Sequence, residues 1–451
     1  MSVDAVAACL DRAEAAQRTL NPYVTLDRDA AMAAARAADA LPGARPLRGV
    51  PFSAKDNIET AGLRTTYGSR TLEANVPSVD AIAVARMRDA GGVLIGKTTL
   101  PEFGSSVLSV SPLTGTTRSP WDLERTPGGS SSGAGASVAA GIEPIALTTD
   151  AGASTRLPAA VCGVLGFKPS RGLIPYEQFP DGFGNFIHIG LITRTVANMA
   201  VALDVVSGED PNDPLTIGVA KTRSLEALRE QFDLAGRRIA WRPFLGNQAL
   251  DDEVRAACEA TLDVFARRGA AIERVDEPFE NAGPTWRTLQ FANFAGRFAM
   301  PDEATAKLMD PGFLAGAKAG AAFTGKELTA ALYKRTSYFR IVQAWFQSFD
   351  WVATPVTTTV AVPITHRGDT PLEINGKPAG ELRAAWGPYL NLFNLTGHPA
   401  LSVPAGFTKS GLPIGIQLVG RLQQDTSLLQ LAKVVEDDRP WLTRRPAHAL
   451  D

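Results

Sequence analysis

Cysteine is scarce in this chain: three residues in 451, at Cys9, Cys162 and Cys258. They lie too far apart in sequence for a CxxC pair and suggest no disulfide framework. Buried structural thiols and a reducing compartment are therefore expected. Histidine is almost as rare, with four residues, His188, His366, His398 and His448. Each is expected in a surface or hydrogen-bonded role. Neither sign of charge is in excess: 45 basic residues stand against 47 acidic ones, for a net charge of −2. That balance gives no support to a broad nucleic-acid footprint. No apolar run approaches the roughly 18 residues of a membrane-spanning helix. Residues 1–20 carry Asp4, Asp11 and Glu14 and have neither a basic nor an apolar leader segment. A cytoplasmic protein with no membrane partner is the expectation.

What is present is an ordinary globular composition, 45% hydrophobic and 20% charged. A chain of this length can bury a large core. Residues 3–18 and 27–40 are Ala-rich with helical spacing, broken at Asn21-Pro22 and stopped by Pro42-Gly43. A short strand ends on Lys55, and a helix is expected over 78–90, capped by Ser78 or Asp80. Strand-like and helix-like runs then alternate at 93–95, 145–149, 164–168, 195–207, 237–241, 251–268, 271–275, 351–355, 400–404, 414–419 and 425–437. Residues 277–345 read as mostly helical. This alternation predicts an α/β fold with a mostly parallel central sheet. No shift in composition divides the chain, so residues 1–451 are read as a single large domain.

Three motifs need weighing. Gly91-Gly-Val-Leu-Ile-Gly96-Lys97-Thr98 matches the phosphate-binding pattern literally. That pattern needs a strand before it and a helix after it. Here a helix precedes, and Val-Leu-Ile suits a buried strand better than a phosphate cradle. Gly129-Ser130-Ser131-Ser132-Gly133 fits G-x-S-x-G, but no apolar strand leads into Ser131, as a nucleophile elbow requires. A Gly/Ser run can also be a linker. This one sits inside a dense α/β pattern, and a tight backbone loop is the better reading. The third motif is Thr149-Asp150-Ala-Gly-Ala-Ser154-Thr-Arg156. Small residues after a strand and before a serine can aim consecutive N–H groups at one point, as an oxyanion hole requires. An ordinary turn is the competing reading.

Taken together, these pieces resemble the amidase signature family. The resemblance is carried by Leu47-Arg-Gly-Val-Pro-Phe-Ser-Ala-Lys55-Asp-Asn57, by Gly91 to Thr98 with Pro101-Glu-Phe103, and by Thr126-Pro-Gly-Gly-Ser130-Ser-Ser-Gly133. It continues through Thr149 to Arg156, Cys162-Gly-Val-Leu-Gly-Phe-Lys-Pro169, Asn394-Leu-Thr-Gly-His-Pro-Ala-Leu-Ser-Val-Pro404 and Gly411 to Gly420. These motifs span nearly the whole chain in the family's order. The resemblance implies a mixed, mostly parallel sheet surrounded by helices. It also implies a Ser-Ser-Lys set: Ser154 as nucleophile, Ser130 as bridging serine on a cis Gly129–Ser130 peptide, and Lys55 as base. Two positions depart from the family pattern. Ser132 and Ala153 stand where many members have glycine, and a Cβ at 153 narrows the backbone angles open there.

The chemistry then implied is amide hydrolysis without metal or organic cofactor. A serine hydroxyl needs a base, and a lysine can serve only as the free amine. Burial would supply that amine by lowering its pKa from about 10.4. The N–H groups of Ala151, Gly152, Ala153 and Ser154 would hold the oxyanion. Ser131, Asp150 and Arg156 are supporting residues, the last two as an ion pair; a substrate carboxylate is an alternative partner for Arg156. The expected partner is a small-molecule amide, aryl or urea-like compounds included, and a homodimer is among the assemblies open to the chain. Residues 176–186, with Phe179, Phe183 and Phe186, and the stretch 277–345 are candidate pocket walls. Two functions compete with this reading. One is a component of the tRNA-dependent amidotransferase, and the other is a non-catalytic binding module on the same scaffold. The stretch Ala385 to Phe393 lacks the pattern associated with the former.

Overall fold

The two Ala-rich segments fold as helices Ser2–Gln17 and Arg28–Ala40 in a computed structural model that describes residues 2–247 and 249–450. Asp27 caps the second helix, its carboxylate accepting from Ala30 N at 2.9 Å. Between them the chain makes a four-residue strand, Tyr23–Leu26 (β1), where the sequence suggests only a break. The other strands of the central sheet are Pro51–Lys55 (β2), Val93–Thr98 (β3), Ile145–Asp150 (β4), Leu165–Lys168 (β5), His188–Thr193 (β6), Arg238–Trp241 (β7), Ala271–Arg274 (β8), Trp351–Pro355 (β9), Ala400–Phe407 (β10) and Pro413–Val419 (β11). Among these, only β6 lacks a counterpart in the sequence pattern.

The eleven strands form one sheet in the order β1-β3-β2-β4-β6-β5-β10-β11-β9-β7-β8. Its directions are mixed. Strand β2 runs parallel to β3 and β4, and β7 runs parallel to β8 and β9. Helices such as Ile82–Asp89 and Asp252–Arg267 make the crossovers that parallel neighbours need. Between these two blocks the neighbours β4, β6, β5, β10, β11 and β9 pair antiparallel, as β1 does with β3. The expected α/β layering holds, with its parallel part in the two blocks.

Both faces of the sheet are covered, so alternate residues enter different cores. Leu147 and Leu191 pack with helices Val196–Val206, Asp252–Arg267 and Asp425–Asp438 on one side. Ala146 and Ile192 pack with helices Ser132–Ala139 and Arg156–Cys162 on the other. The Gly/Ser run is the start of that inner helix rather than a linker. Its small residues let it approach closely: a Cβ on Gly135 would lie 3.1 Å from Pro158 Cβ. The edge strand β8 shows Glu273 and Arg274 to solvent, charges that discourage pairing with another chain. The helix expected from 78 begins instead at Ile82 without a side-chain cap. Asp80 is engaged elsewhere, accepting from Ala61 N at 2.8 Å and pairing with Arg88 at 2.6 Å.

Gly133 tests this packing. A Cβ there would lie 2.1 Å from Pro22 O and 2.5 Å from Thr99 N, both backbone atoms that cannot swing aside. Gly133→Ala is expected to lower unfolding free energy by about 2 kcal/mol or more, measured by chemical denaturation. A change within about 0.5 kcal/mol would contradict the packing described.

Candidate active site

Strands β2 and β4 are parallel neighbours, so their carboxyl ends reach the same edge of the sheet. Open α/β sheets bind ligands at such ends. Lys55 is the last residue of β2 and Asp150 the last of β4. The turn 151–155 then carries Ser154 to the start of helix Arg156–Cys162. The loop before helix Ser132–Ala139 brings in Ser130, whose peptide bond to Gly129 is cis. Ser131 N donates to Ser154 O at 3.1 Å and ties the two serine segments together. Three stretches distant in sequence thus meet at one edge.

Lys55 is sealed from solvent. Its Nζ lies 2.7 Å from Ser130 Oγ, 3.0 Å from Thr149 Oγ1 and 3.3 Å from Thr149 O. A neutral amine has two N–H groups and one lone pair. The two Thr149 oxygens can accept both N–H groups, which turns the lone pair toward the Ser130 hydroxyl. Asn57 Nδ2 donates to the same Thr149 hydroxyl at 3.0 Å and fixes it. Burial pushes the Lys55 ammonium down to about 7, against the pull of the Asp150 carboxylate.

Asp150 itself is already engaged by Arg156. Arg156 Nε donates to Asp150 Oδ2 and Nη2 to Asp150 Oδ1, both at 3.0 Å, in a fully buried bidentate pair. Arg156 also donates to Leu390 O, Gln417 Oε1 and Asn394 Oδ1. Asn394 Nδ2 returns a bond to Asp150 O at 2.7 Å. Burial alone would raise the Asp150 carboxyl; the Arg156 charge and hydrogen bonds outweigh it and hold that carboxyl far below the usual range. Every edge of the guanidinium is used, and it has no N–H left for a substrate carboxylate.

No protein acceptor is found among the described residues for the N–H groups of Ala151, Gly152, Ala153 and Ser154. Four adjacent donors beside a serine can stabilise a developing oxyanion. Ala153 is not in the left-handed region, so its Cβ strains nothing. Gly152 has no such freedom: a Cβ there would lie 2.6 Å from Trp286 Nε1 and 2.7 Å from Asn391 Oδ1. Trp286 Nε1 donates to Ala151 O at 2.6 Å and braces the turn from helix Gly283–Arg297. Across the site, Phe103 and Gly104 have φ of 51° and 69°. That turn passes so close to Ser130 that a Cβ on Gly104 would lie 3.2 Å from its Oγ. Phe103 is held in place by Phe298 and Phe313, at centroid separations of 4.2 and 4.7 Å.

A cavity of about 570 Å³ opens beside these loops. Ser106, Val107 and Leu108 form one wall and also back Gly129; Trp286, Phe291 and Phe294 form another. The helical stretch thus does supply a wall. Of the other aromatic candidates, Phe179 and Phe186 are buried in the core, and Phe183 is exposed.

Thr149, Asn57, Trp286, Asn394 and Gln417 join the site without a role assigned from sequence. Asn57, Thr149, Asn394 and Gln417 lie inside the motifs quoted above. Trp286 lies in a segment with no motif, and only its position beside Gly152 reveals it. None of the four histidines hydrogen-bonds to Ser130, Ser131 or Ser154 among the described residues. His398 Nδ1 lies 2.9 Å from Thr396 Oγ1, and burial lowers its pKa to about 3. His188 pairs across the sheet from Asp150, and burial keeps it neutral. Lys97 of the phosphate-loop pattern is buried on β3, donating to Ile58 O and Thr60 Oγ1.

A family model described as Amidase matches residues 4–429. An acylamidase of Rhodococcus erythropolis is 34% identical, the match covering 98% of this chain and 93% of the relative. A glutamyl-tRNA(Gln) amidotransferase chain of Roseiflexus sp. (strain RS-1) is 35% identical, with 99% and 94% covered. Among solved structures, a bacterial aryl acylamidase of the amidase signature enzymes superposes with a TM-score of 0.90 at 28% identity, over 98% of this chain and 94% of that one. A 6-aminohexanoate cyclic dimer hydrolase complexed with substrate superposes with a TM-score of 0.88 at 28% identity, over 100% and 96%.

The buried pair makes a prediction. Arg156→Met leaves the Asp150 carboxylate buried without its cation and should cost about 3–5 kcal/mol of stability in urea denaturation at pH 7. A loss below about 1 kcal/mol, the scale of a surface pair, would contradict the role given to it.

Proposed function

We propose that this chain, which belongs to the amidase family, hydrolyses the C–N bond of a small carboxamide through an acyl-Ser154 intermediate. The observation that carries this reading is the 2.7 Å contact between the buried Lys55 amine and Ser130 Oγ, on the loop bonded to Ser154. Ser154 Oγ attacks the amide carbonyl while its proton passes to Ser130 Oγ, and the Ser130 proton passes to Lys55 Nζ. The N–H groups of 151–154 hold the negative oxygen of the tetrahedral intermediate. The relay then runs backward: Lys55 returns a proton to Ser130, and Ser130 protonates the leaving nitrogen as the C–N bond breaks. Water then attacks the ester carbonyl as its proton passes through Ser130 to Lys55, and the relay returns that proton to Ser154 Oγ as the acyl–oxygen bond breaks and the carboxylic acid leaves. Asp150, Arg156 and Ser131 position these groups without touching the reacting atoms.

The cavity's Trp286, Phe291 and Phe294 suit an apolar or aryl group on the substrate. The likeness to an acylamidase and to an aryl acylamidase supports an N-acyl arylamine as the first substrate class to test. A urea-like amide is the next. The free, buried cysteines fit the cytoplasm, and no helix among the described residues is long and apolar enough to cross a membrane. The amidotransferase reading is favoured by the 35% identical relative. Against it, the superposition on the corresponding amidotransferase chain from Thermotoga maritima, with a TM-score of 0.77, is poorer than that on the aryl acylamidase. Co-purification of companion chains from the native host would favour it.

Ser154→Ala should abolish turnover with the fold intact, a loss of about 10⁴-fold or more. Intact-mass analysis with a slow acylating substrate should show an adduct on wild type only. An adduct mapped to Ser131 would overturn the assignment.

The pH dependence follows from Lys55. Lowering the pKa of a base makes its neutral form appear at lower pH, so kcat/KM should rise with pH through about 7. Lys55→Arg keeps a fixed charge that cannot accept a proton; most activity should be lost and the rise flattened. Near-normal activity in Lys55→Arg would show that a permanent cation suffices.

A further inference from the structure

The cavity beside the catalytic loops carries six charged side chains, Arg287, Arg367, Arg383, Asp310, Asp369 and Glu381. Five of them are engaged. Arg287 Nη2 donates to Glu381 Oε2 at 2.5 Å, and Arg367 Nε to Asp369 Oδ1 at 3.3 Å. Asp310 caps helix Pro311–Ala321, accepting from Phe313 N at 2.8 Å. Arg383 stands apart. Its guanidinium carbon lies 3.9 Å from the ring centroid of Trp286. No hydrogen-bond acceptor meets the group among the described residues, and its Nε is shut off from solvent. Glu381 attracts it from a distance, but that carboxylate is already bonded to Arg287. Burial brings the Arg383 pKa down to about 10, which still leaves it cationic at neutral pH.

A half-buried cation with no anion in contact is unfavourable, and it becomes favourable when a ligand supplies the anion. Stacking on the indole fixes the plane of the guanidinium and leaves its two Nη groups open, an edge that can take a carboxylate with two parallel bonds. The indole beneath it donates to Ala151 O, so the guanidinium stands one side chain away from the oxyanion turn. Arg156 cannot play this part, because Asp150, Asn394, Gln417 and Leu390 occupy it.

We propose that Arg383 anchors a carboxylate on the substrate, so that the preferred amides carry a free acid group on the acyl or the amine half. This deepens the amidase reading and rests on it. Arg383 is a binding and positioning residue: it sets KM and orientation and transfers no proton.

The test uses three matched anilides: a neutral N-acyl anilide, the monoanilide of a dicarboxylic acid, and an N-acyl aminobenzoate. Kinetics are measured for wild type, Arg383→Gln and Arg383→Lys. Wild type should favour one of the two acids over the neutral anilide, and which one assigns the half that carries the group. Arg383→Gln should raise KM for that acid on the order of ten- to a hundredfold and erase the preference. Arg383→Lys should recover part of it, keeping the charge without the fork. Equal losses on acid and neutral anilides would mean that Arg383 only supports Trp286, and a wild-type preference for the neutral anilide would equally overturn the proposal. Binding of the same compounds to Ser154→Ala, by calorimetry, separates the two readings. Absence of turnover on every anilide counts against the amidase reading, whereas absence of a carboxylate preference in binding counts against Arg383.

Discussion

A lysine amine sealed from water beside a carboxylate that an arginine has already claimed is the condition on which the site depends. A buried lysine sheds its proton unless an anion holds it. Asp150 is near enough to Lys55 to oppose that loss. The bidentate pair with Arg156, reinforced by Asn394, commits its charge elsewhere. The surroundings of Lys55 are therefore hydroxyls and a carbonyl, which accept from an amine and do not require it to be charged. The buried ion pair can add little net stability of its own, given the desolvation of both partners. Its consequence is a lysine brought to titrate at about 7, where a substantial share is free amine at neutral pH.

The sheet delivers this arrangement. Parallel neighbours β2 and β4 end at the same edge of the sheet, so the amine and the serine turn meet without long loops. Helix Ser132–Ala139 is buried throughout and made of small residues, and it can therefore bring its leading serines against both. The turn after β4 keeps four donors unspent because it belongs to no helix or strand ladder, and Trp286 braces it from outside. The cavity beside the site is lined instead by helices Gly283–Arg297 and Pro311–Ala321 and by the segment around Arg383.

Much of this was legible in the sequence, and what was not has physical reasons. Helices such as Asp252–Arg267 and strands such as Trp351–Pro355 declare themselves by apolar period and flanking turns. Strand β1 is too short for a period, and the His188–Thr193 strand follows a turn-rich segment whose aromatics read as candidate pocket walls. Strand direction is readable only where a helical crossover joins neighbours, so the antiparallel middle of the sheet left little trace. Within the site, Lys55, Ser130 and Ser154 stand in motifs whose order along the chain is distinctive. Thr149 and Asn57 lie in those motifs, yet their part depends on an amine that reaches them only after folding. Trp286 and Arg383 have no local signature; one is known by its contact with Ala151, the other by having no acceptor.

The proposed site requires Lys55 to supply a neutral amine under working conditions. The most direct test of this is an NMR titration of protein labelled at the lysine ε-carbons, with the Lys55 resonance assigned by its loss in Lys55→Met. The midpoint is expected near the value of about 7 that burial imposes. A midpoint near the ordinary lysine value of about 10.4 would contradict it.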